Sequence, residues 1–156
     1  TLFIAMLLNS DEKAVGKLLK HPRSNITLSD AGAHLTFFND AGYGLYMLQR
    51  WVRENKLMSI EEAIYNLTGK QADIYRIDQR GRLVPGQYAD MMLFDPEEVA
   101  VSQSYRVSDL PGGGSRLNID GEGIKGVWIN GKRVLEDGDL ISKNNLPGKV
   151  IRGFHA

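Results

Sequence analysis

The sequence contains no cysteine, which excludes disulfides, thiolate nucleophiles and zinc sites with cysteine ligands. It has no surplus of charge either: 19 Lys and Arg residues balance 19 Asp and Glu residues, so no overall field attracts nucleic acid or an anionic membrane. The longest apolar run, residues 2–8, is far shorter than the ~20 residues of a membrane-spanning helix. It also lacks the basic flank and cleavage site of a signal peptide. These absences predict a soluble, cytoplasmic protein that binds neither nucleic acid nor membrane.

The order of the sequence patterns predicts two kinds of structure. With 156 residues, the chain has about the length of one domain and can bury a real core. Helical periodicity and a short apolar run alternate in the first half, which is typical of α/β folds. From about residue 79, short strands punctuated by Gly, Pro and Asp take over. We therefore predict an α/β segment over residues 1–78 and an antiparallel β segment over residues 79–156.

Capping signals and periodicity predict the helices. Asn9 or Ser10 is expected to cap a first helix, because acidic residues and then a helical apolar pattern follow. Residues 45–54 have the period of an amphipathic helix. Ser59 and Glu62 form a capping box that opens a third helix.

Turn signals divide the second half into strands. Residues 82–84 are predicted to form a strand that ends at the turn Pro85-Gly86, and residues 91–94 a buried strand. Residues 109–123 are rich in glycine and predict a long irregular loop. Asn130-Gly131, with β-branched and apolar residues on both sides, is the strongest hairpin signal in the chain.

Asp30 is the first candidate for chemistry. Residues 26–28 predict a short buried strand that stops at this carboxylate, and Gly32 supplies backbone freedom just after it. The carboxyl end of a buried parallel strand is where α/β enzymes keep their catalytic groups. The alternative is an ordinary turn or cap, since Asp and Gly are common in both. For His34, a loop or core-edge position is favoured over a metal or proton shared with Asp30, because Gly32 argues against a regular helix between them.

Aromatic residues follow in a segment that is too irregular for a strand and too aromatic for a linker. Phe37, Phe38 and Tyr43 are its bulky members, among glycines and alanines. Loops of this kind often line a pocket, although a pair of phenylalanines can equally fill a core. Together with His34, these residues are the candidates for facing a substrate.

A series of short motifs occurs along the chain in a fixed order: Leu28-Ser29-Asp30-Ala31-Gly32-Ala33-His34, Ser59-Ile60-Glu61-Glu62-Ala63, Thr68-Gly69, Gly81-Arg82-Leu83, Pro85-Gly86, Ala89-Asp90, Phe94-Asp95 and Val127-Trp128-Ile129-Asn130-Gly131. The ordered set resembles the carboxyl-terminal part of metal-dependent amidohydrolases, in the form found in the N-acyl-D-amino-acid deacylase (D-aminoacylase) branch. The resemblance covers residues 9–148. No single motif is specific, but their order is.

The resemblance implies an enzyme with a TIM barrel, of which this chain supplies the last strand and its flanking helices, followed by most of a small β-sandwich. In such enzymes the last barrel strand ends in an aspartate that touches the catalytic metal and handles the proton of the attacking water. Asp30 matches that position, whereas Asp90 matches a turn position. The resemblance also implies zinc as the divalent metal of the full-length enzyme and a small-molecule N-acyl amino acid as the substrate. A zinc-bound water has a pKa near ~7, so a neighbouring carboxylate can take its proton.

The chain also departs from the family pattern. Its three histidines, at positions 21, 34 and 155, include no His-x-His pair, and a complete barrel needs about 250 residues. We therefore expect a carboxyl-terminal fragment of a deacylase that lacks nearly every metal ligand and is inactive alone. The residues leave open whether the fragment binds any metal. The alternative is a non-catalytic module that stands alone and self-associates. The expected partner is thus the missing amino-terminal part of the barrel or, in a homo-oligomer, a second copy covering the exposed apolar surface.

Overall fold

Helices in the first half of the chain are followed by antiparallel strands in the second. The computed structural model describes residues 9–141, 144 and 146–152. The predicted change of character near residue 79 is confirmed, because the helices end at Tyr75 and the strands begin at Met91. The apolar run over residues 2–8 lies outside the described residues. No helix within the described ranges has both the length and the apolar character that crossing a membrane requires.

Among the described residues, the helical half has four α-helices and one π-helical segment. Asp11 caps the first helix through hydrogen bonds from the backbone amides of Lys13 and Ala14. The prediction of Asn9 or Ser10 as the cap was therefore wrong by one or two positions. The capping box is confirmed on its Ser59 side, because the Ser59 hydroxyl accepts a hydrogen bond from the Glu62 amide at 3.1 Å. The helices are α1 (Glu12–Leu19), α2 (Tyr43–Tyr46), α3 (Ile60–Leu67) and α4 (Gly69–Tyr75).

A π-helix, Met47–Glu54, continues directly from α2. The sequence predicts a regular helix here, since a short apolar pattern does not distinguish the π-helix from the far commoner α-helix. The π-helix contributes Met47, Leu48 and Trp51 to the core. This segment is therefore the central packing element of the helical half.

The core extends from the helices into the second half of the chain. Val99, which is 1% exposed, packs in the same cluster as the buried residues of the π-helix, together with Met58 and Ala63. Arg53 of the π-helix donates hydrogen bonds to the carbonyl oxygens of Val99 at 2.7 Å and of Pro96 at 3.2 Å. The two halves thus share one core and are joined by a charged hydrogen-bond donor.

In the part of the second half that the structure describes, there is a four-stranded antiparallel sheet and there are two short ladders. The sheet has the order β1-β6-β7-β8, and the ladders pair β2 with β5 and β3 with β4. The predicted hairpin at Asn130-Gly131 is confirmed: both residues have positive φ, 50° and 77°, as a type I′ turn requires. The strands are β1 (Met91–Phe94), β2 (Ala100–Val101), β3 (Tyr105–Val107), β4 (Arg116–Asn118), β5 (Gly121–Glu122), β6 (Ile124–Ile129), β7 (Lys132–Glu136) and β8 (Asp139–Leu140).

Several strand predictions were wrong. Residues 26–28, predicted as the last barrel strand, belong to no strand, and the Leu28 side chain is 83% exposed. A strand needs a neighbour for its backbone hydrogen bonds, and no described strand lies beside this one. Residues 82–84 also form no strand. Residues 91–94 do form β1, but at the edge of the sheet, where Leu93 is 56% exposed rather than buried.

The glycine-rich stretch over residues 109–123 is more regular than predicted. It contains a 3-10 turn, Pro111–Gly113, and both β4 and β5. These strands are only two or three residues long and pair with segments 9 to 22 positions earlier, so the local sequence carries little signal for them. The antiparallel character of the second half is confirmed, whereas the barrel and the sandwich remain predictions.

Candidate active-site loop

The Asp30 loop, defined as residues 28–34, holds its carboxylate out to solvent. The Ser29 hydroxyl accepts a hydrogen bond from the Ala31 amide at 3.1 Å, which tightens the turn around Asp30. Asp30 and His34 both have a left-handed backbone, with φ of 57° and 54°. Such a conformation is uncommon outside glycine and recurs at functional sites. The Asp30 side chain is exposed and has no hydrogen bond to any described residue.

A second carboxylate, Asp40, lies close to Asp30. Burial raises the pKa of the Asp40 carboxyl above its ordinary value, and the negative charge of Asp30 raises it further. The Asp40 carbonyl oxygen accepts a hydrogen bond from the Tyr43 amide at 3.2 Å, just before α2. The sequence patterns did not indicate Asp40 as a candidate. The only available signal was a second carboxylate in the same aromatic and glycine-containing segment.

A groove of about 560 Å³ is lined by Asp40 and by Leu28 and Ser29 of the Asp30 loop. One wall comes from the Asp30 loop and the start of α2, and the other comes from β2, the residues after it and Ile119. Among the predicted candidates, Tyr43 lines this groove, whereas Asp30, His34, Phe37 and Phe38 do not. The lining residues are Leu28, Ser29, Asn39, Asp40, Gly42, Tyr43, Tyr46, Val101, Ser102, Ser104 and Ile119.

His34, Phe37 and Phe38 form a small turn of their own. The His34 carbonyl oxygen accepts hydrogen bonds from the amides of Phe37 and Phe38 at 3.0 and 3.1 Å. The imidazole of His34 stacks on the Phe37 ring, with the centroids 5.1 Å apart. The structure therefore separates these three candidates from the groove that Tyr43 and Asp40 share.

The segment that follows this turn is bound to β4. The Leu117 amide donates a hydrogen bond to the Leu35 carbonyl oxygen at 2.7 Å, and Asn39 Nδ2 donates to the Leu117 carbonyl oxygen at 3.2 Å. Arg106 Nη2 donates to the Thr36 carbonyl oxygen at 2.9 Å. Residues 35–39 are thus held by partners some 70 to 80 positions later in the sequence.

The described residues do not form a metal site by themselves. Among them, no three His, Asp or Glu side chains converge on one point. Asp30 and Asp40 supply two carboxylates, and the Nδ1 atom of His21 accepts a hydrogen bond from the Arg23 amide. His155 lies outside the described ranges. A catalytic zinc site takes three protein ligands, so this donor set does not fit one.

The candidate site thus combines an exposed loop aspartate with a second carboxylate beside it. It lies in a chain whose helical core is joined to antiparallel strands. The sequence profile described as the amidohydrolase family matches residues 5–135. The chain belongs to the amidohydrolase family.

Within that family, the chain is similar to deacylases. It is 30% identical over 143 residues to an N-acyl-D-aspartate deacylase from Alcaligenes xylosoxydans xylosoxydans, covering 90% of this chain and 26% of that protein. It is 27% identical to an N-acyl-D-glutamate deacylase of the same organism, covering 91% of this chain and 27% of that protein. A dihydroorotase from Lactobacillus johnsonii is 29% identical over 93 residues, which is 57% of this chain and 21% of that protein. The chain thus spans about a quarter of the length of the deacylases that it matches.

Solved structures of D-aminoacylase are also similar to this chain. A crystal structure of D-aminoacylase, described as defining a novel subset of amidohydrolases, superposes with a TM-score of 0.50 and 29% sequence identity. The match covers 64% of this chain and 19% of that protein. A second D-aminoacylase structure, whose subject is the binuclear metal centre of that enzyme, matches equally well.

Proposed function

We propose that this chain is the carboxyl-terminal part of a larger metal-dependent amidohydrolase that removes acyl groups from N-acyl-D-amino acids. The observation that carries the proposal is the similarity to two N-acyl-D-amino-acid deacylases along about nine-tenths of the chain. The solved D-aminoacylase supports it, since it resembles this chain in both sequence and fold. The isolated 156-residue chain is expected to be inactive.

Asp30 is the proposed acid and base of the reaction. Its carboxylate is exposed and bound to no described residue, and its neighbours Leu28 and Ser29 line a groove large enough for part of a small substrate. In amide hydrolysis, Asp30 would take a proton from the attacking water as the water oxygen bonds to the acyl carbon. It would return that proton to the amine nitrogen as the C–N bond breaks, giving a carboxylic acid and a free amino acid.

The metal of the proposed enzyme needs ligands from outside the described residues. D-aminoacylase itself is described as having a binuclear metal centre, and zinc is the metal that the family resemblance suggests. Because the described donor set does not fit a metal site, the part assigned to this chain is the proton transfer at Asp30. A chelator is expected to abolish the activity of the full-length protein, and added zinc is expected to restore it.

The alternative is a non-catalytic module that associates with itself. Both alternatives have to cover exposed apolar side chains, because Leu28, Leu83 and Val150 are 83%, 72% and 78% exposed. In the proposed enzyme the rest of the same protein covers them, whereas in the module a second copy does. A native mass of the natural protein equal to a multiple of 17.4 kDa, together with no hydrolysis, would support the module.

The direct test is a hydrolysis assay on the full-length protein. N-acetyl-D-aspartate, N-acetyl-D-glutamate and N-acetyl-D-leucine would each be compared with the L enantiomer by the release of free amine. We expect at least one D substrate to be preferred by about a hundredfold, since a shaped pocket discriminates by geometry. No release from any D substrate would contradict the proposal.

A further inference from the structure

We propose that Asn39 and Arg106 are positioning residues that fix the Asp30 loop by binding residues 35–39 to the outer edge of β4. The inference rests on the proposed function, since it assigns to these two side chains the task of holding the proposed acid and base in place. It gives the β3–β4 ladder a part in the reaction, although neither of its strands carries a reacting group.

The edge of β4 is suited to receive a further segment. In the β3–β4 ladder, Leu117 lies opposite Arg106. Alternate residues of an antiparallel strand point their backbone amide and carbonyl away from the partner strand. Both of these groups of Leu117 bind the segment over residues 35–39. The amide donates to the Leu35 oxygen at 2.7 Å, and the carbonyl accepts from Asn39 Nδ2 at 3.2 Å. Residues 35–39 therefore cover the edge that β3 leaves free.

The guanidinium of Arg106 also binds residues 35–39 to the β3–β4 ladder. Its Nη2 atom donates to the Thr36 carbonyl oxygen at 2.9 Å, and its Nη1 atom donates to the Ser115 hydroxyl at 3.2 Å. A planar guanidinium presents its donors in a fixed fork, so two bonds to two segments fix their relative position. Hydrogen bonds with a charged donor are also stronger than neutral ones.

The Asp30 loop depends on such outside partners because residues 20–42 contain no helix or strand. On its amino-terminal side, Lys70 Nζ of α4 donates to the Ser24 carbonyl oxygen at 2.6 Å. On its carboxyl-terminal side, the bonds to β4 are the anchor. Asn39 has a double task there: its Oδ1 atom accepts from the Ala41 amide at 3.1 Å, which sets the turn that carries Asp40.

The test compares Arg106→Ala and Arg106→Lys with Arg116→Ala in the full-length protein. Arg116 lies in β4, in the same ladder, but its guanidinium donates to the Asp109 carboxylate at 2.8 Å and to Asn118 Oδ1 at 3.1 Å, and it makes no hydrogen bond with residues 35–39. Amide hydrogen exchange of Phe37, Phe38 and Leu117 measures how well the segment is held. Steady-state kinetics with the preferred D substrate measures the effect on the reaction.

We expect Arg106→Ala to speed the exchange of these amides by about tenfold and to lower kcat by about tenfold to a hundredfold, with little change in KM. Arg106→Lys keeps a charged donor and should recover most of both losses, whereas Arg116→Ala should leave both near the wild-type values. Equal effects of Arg106→Ala and Arg116→Ala, or unchanged exchange in Arg106→Ala, would overturn the inference. Amide exchange is measured without a substrate, so it tests the anchoring of residues 35–39 separately from activity. An inactive wild-type protein would reject the proposed function, and the exchange result would still support or overturn the anchoring.

Discussion

Gly42 lies where the start of α2 meets β2, and its lack of a side chain allows the two to approach. A Cβ atom at this position would overlap Val101 Cγ1 and would lie 3.1 Å from Ile119 Cδ1. Its φ of −81° is open to any residue, so the requirement for glycine is one of space. Val101 and Ile119 also line the candidate groove, so this close approach shapes one of its walls.

Replacing Gly42 by Ala is expected to reduce the free energy of unfolding of the full chain by about 1–3 kcal/mol, because a stiff β-branched neighbour cannot move aside cheaply. Gly44→Ala is the matched control. Its Cβ would lie 3.9 Å from Leu67 Cδ1, an ordinary contact, and alanine favours a helix. Urea unfolding of the two variants measures the difference. Equal stability of both would show that the α2–β2 contact relaxes without cost.

At the scale of elements, the predictions that succeeded depend on local chemistry. Ser59 caps α3, and Asn130-Gly131 forms the hairpin, because a cap or a tight turn is decided by a few adjacent residues. The prediction for residues 26–28 failed because a strand requires a partner that no adjacent residue supplies. The contact at the β4 edge was not predicted either, since the bonds that hold residues 35–39 join residues 70 to 82 positions apart.

The cap of α3 gives a test at this scale. Ser59→Ala removes the acceptor for the Glu62 amide, and we expect it to cost about 1 kcal/mol of folding free energy. Ser59→Asp keeps an acceptor and adds a negative charge at the helix N-terminus, so it should retain the stability of the wild type. Denaturant titration of the two variants compares them. The same loss in both would mean that Ser59 does not stabilise α3 by accepting this hydrogen bond.

At the scale of the whole molecule, the chain combines a shared core with surfaces suited to further contact. Val99 joins the helical half to the strands, while exposed residues such as Leu28 and Leu83 leave apolar area uncovered. The deacylase relatives are about four times as long as the part that this chain matches. The family could be predicted from an ordered set of motifs, whereas the role of Asp30 stays a prediction. A metal site could not be assembled from this sequence, and among the described residues no three His, Asp or Glu side chains converge on one point.

The central claim is that Asp30 carries the proton in the reaction of a deacylase. The measurement that tests it most directly is kcat of Asp30→Asn in the full-length protein, with Asp139→Asn, an exposed aspartate of β8, as the control. Asparagine keeps the size of the side chain and removes the proton acceptor, so we expect kcat to fall by about a thousandfold while the fold is retained. Asp139→Asn should be indistinguishable from the wild type. Full activity in Asp30→Asn would contradict the account and remove this residue from the mechanism.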